Sequence, residues 1–132
     1  MAITLGQRQR EFTFCIAQLV VWCYGDGYQF SLGDGYRDPR AFGVLGERGP
    51  YGHPESNHKR RLAIDLNLFI DGEYISDGHH PAWKRVGELW EWLGRDINAR
   101  WGGRYGDANH LEALEYDWRQ EEEVVRPEWL DV

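Results

Sequence analysis

Residues 62–70 have the sequence LAIDLNLFI, and this stretch predicts the strand on which the rest of the fold depends. Apolar residues alternate with small or polar ones, and in an extended chain alternate residues share one face. The predicted core face carries Leu62, Ile64, Leu66, Leu68 and Ile70. Asp65 therefore lies on the opposite face, where a carboxylate requires a polar partner.

Helices and further strands are predicted on both sides of this strand in the sequence. Apolar residues recur at helical spacing in residues 6–24 and again in residues 82–93. Residues 28–32 alternate like a short strand, and residues 73–76 follow an Asp-Gly turn as a hairpin partner. The predicted fold class is α+β, with a small antiparallel sheet and helices packed on one side.

The remaining segments predict loops. Residues 38–57 are rich in glycine and proline without a sustained period, which predicts a long ordered or mobile loop, and loops of this length are usually functional. Residues 101–106 contain three glycines and also predict a loop. The tail from Glu115 predicts a solvated helix end followed by a strap across the surface. A chain of 132 residues fits a single domain, 1–132.

Composition excludes several functional classes. The formal charge of −7 argues against non-specific binding to nucleic acid or anionic lipid, because neutralising phosphate requires clustered lysine and arginine. Residues 12–23 are too short for a membrane span, which needs about 20 apolar residues, and we expect no signal peptide. Cys15 and Cys23 lie about 12 Å apart in the predicted helix, which is beyond disulfide reach, so we expect two buried thiols.

Four residues could form a catalytic metal site. Two imidazoles, from His58 and His110, and the Asp65 carboxylate make a plausible zinc set that leaves a fourth position for water. Asp107, three residues before His110, is placed to act as a general base. His58 precedes Asp65 by an odd offset of seven residues, so sharing a metal requires a bend between them.

Spacing alone leaves other interpretations open. A lone histidine is more often a surface or hydrogen-bonded residue, and a lone strand aspartate is more often a turn cap. His53, His79 and His80 could also supply ligands, and spacing does not exclude them. The His79-His80-Pro81 sequence is more typical of a loop end ahead of the second helix.

Two motifs carry a family resemblance: the Ser-x-His-x4-Ala-x-Asp pattern of residues 56–65 and the Asp-Ala-Asn-His-Leu-Glu sequence of residues 107–112. Together they resemble the motifs of the VanY-like zinc peptidases. The family includes D-alanyl-D-alanine carboxypeptidases and dipeptidases and the L-alanyl-D-glutamate endopeptidases that phages use as endolysins. Residues 90–94 (Trp-Glu-Trp-Leu-Gly) and 101–103 (Trp-Gly-Gly) resemble its phage branch. The likeness covers roughly residues 28–112.

The resemblance implies a role for each motif residue. It makes His58, Asp65 and His110 the zinc ligands and Asp107 the general base. Many relatives have glutamate at the position of Asp107, so the shorter side chain here must lie nearer the reacting water.

Two more residues gain substrate roles from the resemblance. In the Gly-Tyr-Arg sequence of residues 35–37, Arg37 would contact substrate and stabilise charge on the attacked carbonyl. A structural salt bridge is the alternative for Arg37. Ser56 would line the substrate site, or serve as a turn hydroxyl. Residues 38–42 depart from the family pattern after Arg37, which leaves substrate contacts on that side open.

The resemblance implies a zinc metallopeptidase that hydrolyses peptidoglycan stem peptides, with its zinc cleft at the sheet edge. A phage endolysin-type L-alanyl-D-glutamate endopeptidase is favoured, and a D-alanyl-D-alanine carboxypeptidase is the alternative. Such an enzyme would be a monomer made in the host cytoplasm that acts on the bacterial cell wall. Two other classes remain: a zinc-stabilised wall-binding module, which would need the ligands but not Asp107, and a structural phage protein.

Overall fold

The predicted strand at residues 62–70 is the centre of the sheet in the computed structural model, which describes residues 3–36 and 56–130. The strands described are β1 (Tyr28–Leu32), β2 (Ala63–Ile70), β3 (Glu73–Tyr74), β4 (Ala99–Trp101) and β5 (His110–Ala113). Their order is β1-β2-β5-β4, with β3 beside β2, and every pairing is antiparallel. The predictions for β1, β2 and the β3 hairpin are confirmed.

Both predicted helices are present: α1 (Leu5–Gly25) and α2 (Pro81–Leu93). A capping box begins α1, because Thr4 Oγ1 accepts from the Gln7 amide while Gln7 Oε1 accepts from the Thr4 amide. His80 begins α2, and its Nδ1 accepts from the Ala82 amide at 3.1 Å. Across the described residues, neither helix has the length and apolar content to cross a bilayer.

The two helices pack on the same face of the sheet. Phe12 of α1 and Trp90 of α2 meet edge to face, with ring centroids 5.4 Å apart. Beneath them, Leu62, Leu66 and Leu68 are fully buried, as expected of the predicted core face. The α+β fold class with helices on one side is therefore confirmed.

Both thiols lie in this core. Cys15 and Cys23 are free and buried, as predicted. Burial raises the pKa of Cys15 to about 11 and that of Cys23 to about 12. Neither is therefore a ready nucleophile at neutral pH.

The sequence did not predict β4 or β5. Each has only three or four residues, and the predicted loop of residues 101–106 separates them. Pairing with β2 holds β5 in place. Trp90 of α2 adds a second support, because its Nε1 donates to the Glu112 carbonyl at 3.1 Å. These strands depend on tertiary pairing more than on local propensity.

The tail is a strap, and the predicted helix end is wrong. Residues 114–130 form turns and irregular chain. Arg119 Nη2 donates to Glu91 Oε1 of α2 at 2.6 Å, and Trp129 Nε1 donates to Glu88 Oε2 at 3.0 Å. Leu130 is buried in the core, so the tail is held to the domain by this side chain and by its two hydrogen bonds to α2.

Candidate metal centre

The register of the sheet brings Asp65 and His110 together. Asp65 of β2 is directly opposite His110 of β5, and opposed residues of an antiparallel pair project to the same face. This face is turned away from the helices. His110 Nδ1 donates to Asp65 Oδ1 at 3.0 Å. Residues 45 positions apart are thus in direct contact.

A one-turn 3₁₀ helix, Asn57–Arg60, supplies the bend that the odd offset of His58 requires. Ser56 begins it, because its Oγ accepts from the His58 amide at 3.2 Å. Arg61 ends it in the left-handed conformation, with φ of 58°. The turn directs the ring of His58, which is 1% exposed, back over β2.

Hydrogen bonding orients the His58 ring. Nδ1 donates to the Gly35 carbonyl at 2.8 Å, since a carbonyl oxygen can only accept. The other nitrogen, Nε2, lies 3.4 Å from Asp65 Oδ1. When the ring is neutral and its hydrogen is on Nδ1, the Nε2 atom carries a lone pair. Nε2 lies on the side of the ring that faces the Asp65 carboxylate and the His110 ring.

The three side chains fit a metal ion. One potential ligand atom from each of His58, Asp65 and His110 lies within 4.8 Å of the other two. Among residues 3–36 and 56–130, this is the group of histidines and acids that meets that condition. Two imidazoles and a carboxylate are a donor set typical of catalytic zinc, which uses three protein ligands.

The electrostatics of the cluster favour ionised side chains. Burial opposes charge on Asp65, but the hydrogen bond from His110 and the interaction with His58, 3.4 Å away, outweigh burial and lower the pKa of Asp65. Burial also opposes charge on His110, yet hydrogen bonds to Asp65 and Glu112 raise the pKa of His110 to about 9. At neutral pH the metal-free protein therefore holds a proton on His110 Nδ1, facing Asp65.

Zinc binding is expected to release about one proton per ion at pH 7.5, because a histidine ligand must be deprotonated. The pKa of His110, about 9, lies above this pH, so the proton is present before the metal arrives. Apparent zinc affinity should rise with pH until it approaches that pKa. Titration calorimetry in buffers of different ionisation enthalpy measures the proton directly, and a heat independent of the buffer would contradict the expectation.

Asp107 lies beside the cluster on a tight turn. The His110 amide donates to the Asp107 carbonyl at 3.1 Å, and the Asp107 amide donates to the Gly102 carbonyl at 2.9 Å. Partial desolvation raises the pKa of Asp107; the attraction of His110 lowers it, and the repulsion of Asp65 raises it further. A raised pKa suits a carboxylate that must accept a proton.

These residues line one cleft of about 800 Å³. His58, Asp65, Asp107 and His110 share it with Ser56, which both caps the 3₁₀ turn and faces the cleft. Further lining residues are Arg60, Arg100, Tyr105, Glu112 and Tyr116. The cleft is large enough for several residues of a peptide.

Some predicted site residues lie elsewhere. Arg37 and His53 fall outside the described residues. His79 is exposed, and His80 caps α2; both line a separate, smaller cleft. The structure therefore does not bring His79 or His80 to the cluster.

Glu112 is a site residue that the sequence reasoning missed as a functional group. It is 4% exposed, and its Oε1 accepts from His110 Nε2 at 3.1 Å. Burial opposes its charge, but hydrogen bonds from His110 and Asn57 outweigh burial and lower the pKa of Glu112 to about 2. The sequence does contain one sign of this role: Glu112 lies two residues after His110, and residues two apart in a strand share one face.

Gly102 permits the close approach of the β4–β5 connection to the cluster. A Cβ at this position would overlap the Asp107 carbonyl oxygen and lie 2.8 Å from His110 Cβ. Gly102→Ala should therefore lower the free energy of unfolding by about 1–3 kcal/mol and weaken zinc binding, because the Asp107 turn must shift.

The matched control for this substitution is Gly25→Ala at the end of α1, where an added Cβ meets no described atom within 4 Å. Denaturant unfolding and zinc titration of both variants check the prediction. Equal stability and equal zinc affinity in the two variants would contradict it.

Comparison with known proteins supports the same chemistry. Residues 51–113, just under half of the 132-residue chain, match the family model described as D-alanyl-D-alanine carboxypeptidase. None of the curated proteins matches the chain. The segment that carries the three candidate ligands and Asp107 is thus similar to D-alanyl-D-alanine carboxypeptidase, which supports a metallopeptidase that acts on peptidoglycan.

Proposed function

We propose that this protein is a zinc-dependent peptidase that hydrolyses the peptide stems of peptidoglycan. The observation that carries the proposal is the convergence of His58, Asp65 and His110 in a cleft that Asp107 also lines. Three buried or half-buried ligands with an open side are typical of a catalytic metal site, whereas structural zinc sites are closed by four protein ligands.

Each residue has a distinct task in this proposal. His58, Asp65 and His110 would hold the zinc, and a zinc ion held there supplies Lewis acidity that activates water and polarises a carbonyl oxygen. Asp107 accepts a proton from the attacking water and passes it to the leaving amine. Arg37 stabilises the charge that develops on the attacked carbonyl, and Ser56 binds substrate where it faces the cleft.

The favoured reaction is cleavage of the L-alanyl-D-glutamate bond by a phage endolysin. It is supported by the resemblance of the Trp-Gly-Gly sequence at residues 101–103 to that branch. In this proposal a monomeric single-domain enzyme is made in the host cytoplasm and reaches the wall after the inner membrane opens. The second candidate is a D-alanyl-D-alanine carboxypeptidase, and it is supported by the description of the family model that residues 51–113 match.

Digestion of purified peptidoglycan, followed by mass spectrometry of the fragments, tests the proposal. New amino-terminal glutamate would support the endopeptidase, and released D-alanine would support the carboxypeptidase. Zinc-loaded protein that produces neither fragment would refute both. Protein treated with chelator is the control, and it should be inactive until zinc is restored.

A further inference from the structure

Glu112 is a buried carboxylate that joins several elements of the candidate metal centre. It lies on β5, two residues after His110, and is 4% exposed. Its side chain accepts four hydrogen bonds, from His110 Nε2, Asn57 Nδ2, Arg100 Nε and the Tyr105 hydroxyl. A buried charge with this many donors is held in one orientation, because rotation would leave several of them unpaired.

The contact with His110 determines which ring nitrogen can bind a metal. Glu112 Oε1 lies 3.1 Å from His110 Nε2, and Asp65 Oδ1 lies 3.0 Å from Nδ1 on the other side of the ring. An ionised carboxylate only accepts, so Nε2 must carry a hydrogen. In the neutral ring the lone pair is then on Nδ1, which faces the candidate metal position.

The same carboxylate connects the two elements that carry the histidines. Glu112 Oε1 also accepts from Asn57 Nδ2 at 3.0 Å, and Asn57 immediately precedes His58 on the 3₁₀ turn. The turn with His58 and the strand with His110 are therefore fixed relative to each other through one side chain.

The other oxygen holds Glu112 itself in position. Oε2 accepts from Arg100 Nε at 2.7 Å and from the Tyr105 hydroxyl at 2.9 Å. Arg100 is opposite Glu112 in the β4–β5 register, so the sheet itself places this donor. The charge of Arg100 offsets that of Glu112 in the buried position.

We infer that Glu112 is a positioning residue for the metal centre. It fixes the His110 ring with a hydrogen on Nε2, so that Nδ1 faces the ion. Through Asn57 it also holds the His58 turn close enough to His110 for both histidines to bind the same ion. Carboxylates that orient a histidine ligand in this way strengthen metal binding. The inference rests on the proposed function, because it presupposes that His58, Asp65 and His110 bind zinc.

Zinc affinity of the full chain, measured by competition with a chromophoric chelator, tests the inference. Glu112→Ala should weaken zinc binding by about 10- to 100-fold. Glu112→Gln should lie between this variant and the wild type, because an amide oxygen still accepts from Nε2. An affinity for both variants within about threefold of the wild type would overturn the inference.

Glu91→Gln is the matched control, because Glu91 is an equally buried glutamate that binds two arginines, Arg104 and Arg119, without touching a candidate ligand. It should lower the melting temperature and leave zinc affinity unchanged. If Glu91→Gln weakens zinc binding as much as Glu112→Gln does, the effect is general destabilisation and the inference fails.

Nitrogen-15 NMR of the histidine rings gives a second readout. In the zinc-loaded wild type, the His110 ring should show a protonated Nε2 and a metal-bound Nδ1, and Glu112→Gln should broaden or shift the Nε2 proton signal. A metal-bound Nε2 would overturn the inference. If Glu112→Ala does not fold, Glu112→Gln decides the outcome. A wild type that binds no zinc would instead refute the proposed function.

Discussion

Asp107→Asn is expected to slow peptidoglycan hydrolysis by about 100- to 10,000-fold, the range that general acid–base catalysis contributes. Asparagine has the same shape but cannot accept the proton that the attacking water must lose. The Asp107 side chain is exposed, and its turn is held by hydrogen bonds of the backbone rather than of the carboxylate. The substitution should therefore leave the fold intact. Zinc content should also remain at the wild-type value, because Asp107 is not one of the three candidate ligands.

Release of free amino groups from peptidoglycan measures the rate, and elemental analysis measures the zinc. Asp77→Asn is the control, since Asp77 is an exposed aspartate that lies away from the cleft. Its rate should equal that of the wild type. Full activity in Asp107→Asn would exclude Asp107 as the base, and loss of zinc in that variant would make Asp107 a ligand instead.

His58→Ala is expected to weaken zinc binding by at least about 100-fold, because one of three protein ligands is removed. Hydrolysis should fall below detection at equal protein concentration. The melting temperature should also fall, since the ring is buried and its Nδ1 hydrogen bond ties the turn to Gly35. Added zinc should raise the melting temperature of the wild type but not that of the variant.

His79→Ala is the matched histidine control. His79 is exposed and lies outside the cleft, so zinc affinity and hydrolysis should be unaffected. Circular dichroism must show that His58→Ala is folded at the assay temperature. A folded His58→Ala protein that binds one zinc with wild-type affinity would reject His58 as a ligand.

The elements predicted from sequence are those with a long periodic pattern. In β2, alternation over residues 62–70 distinguished the core face from the face of Asp65. Leu62, Leu66 and Leu68 of the core face are fully buried, and Ile64 and Ile70 pack against the core while remaining partly exposed. The two helices were predicted to within one residue at each end. A strand of three or four residues has no such period, which is why β4 and β5 were missed.

The acidic tail illustrates a different difficulty. Its charged residues are typical of a solvated helix, but Arg119 turns inward to the buried carboxylate of Glu91. Glu91 itself lies within the otherwise apolar Trp-Glu-Trp sequence of α2. Long-range pairs of this kind leave no local pattern, so they could not be predicted from the tail alone.

The candidate site was only partly predictable for the same reason. Residue types and the family resemblance suggested His58, Asp65 and His110, but their meeting depends on a strand register across 45 positions and on a 3₁₀ turn. Glu112 was missed as a functional residue because its role depends on partners from three other segments. Arg37 remains a prediction, since it lies outside the described residues.

The most direct test is a crystal structure of the zinc-loaded protein with anomalous diffraction data collected on both sides of the zinc absorption edge. One strong anomalous peak is expected within bonding distance of His58 Nε2, an Asp65 carboxylate oxygen and His110 Nδ1. The ion should also be open toward the cleft beside Asp107. A peak at His79 or His80 instead, or an ion enclosed by four protein ligands, would contradict it.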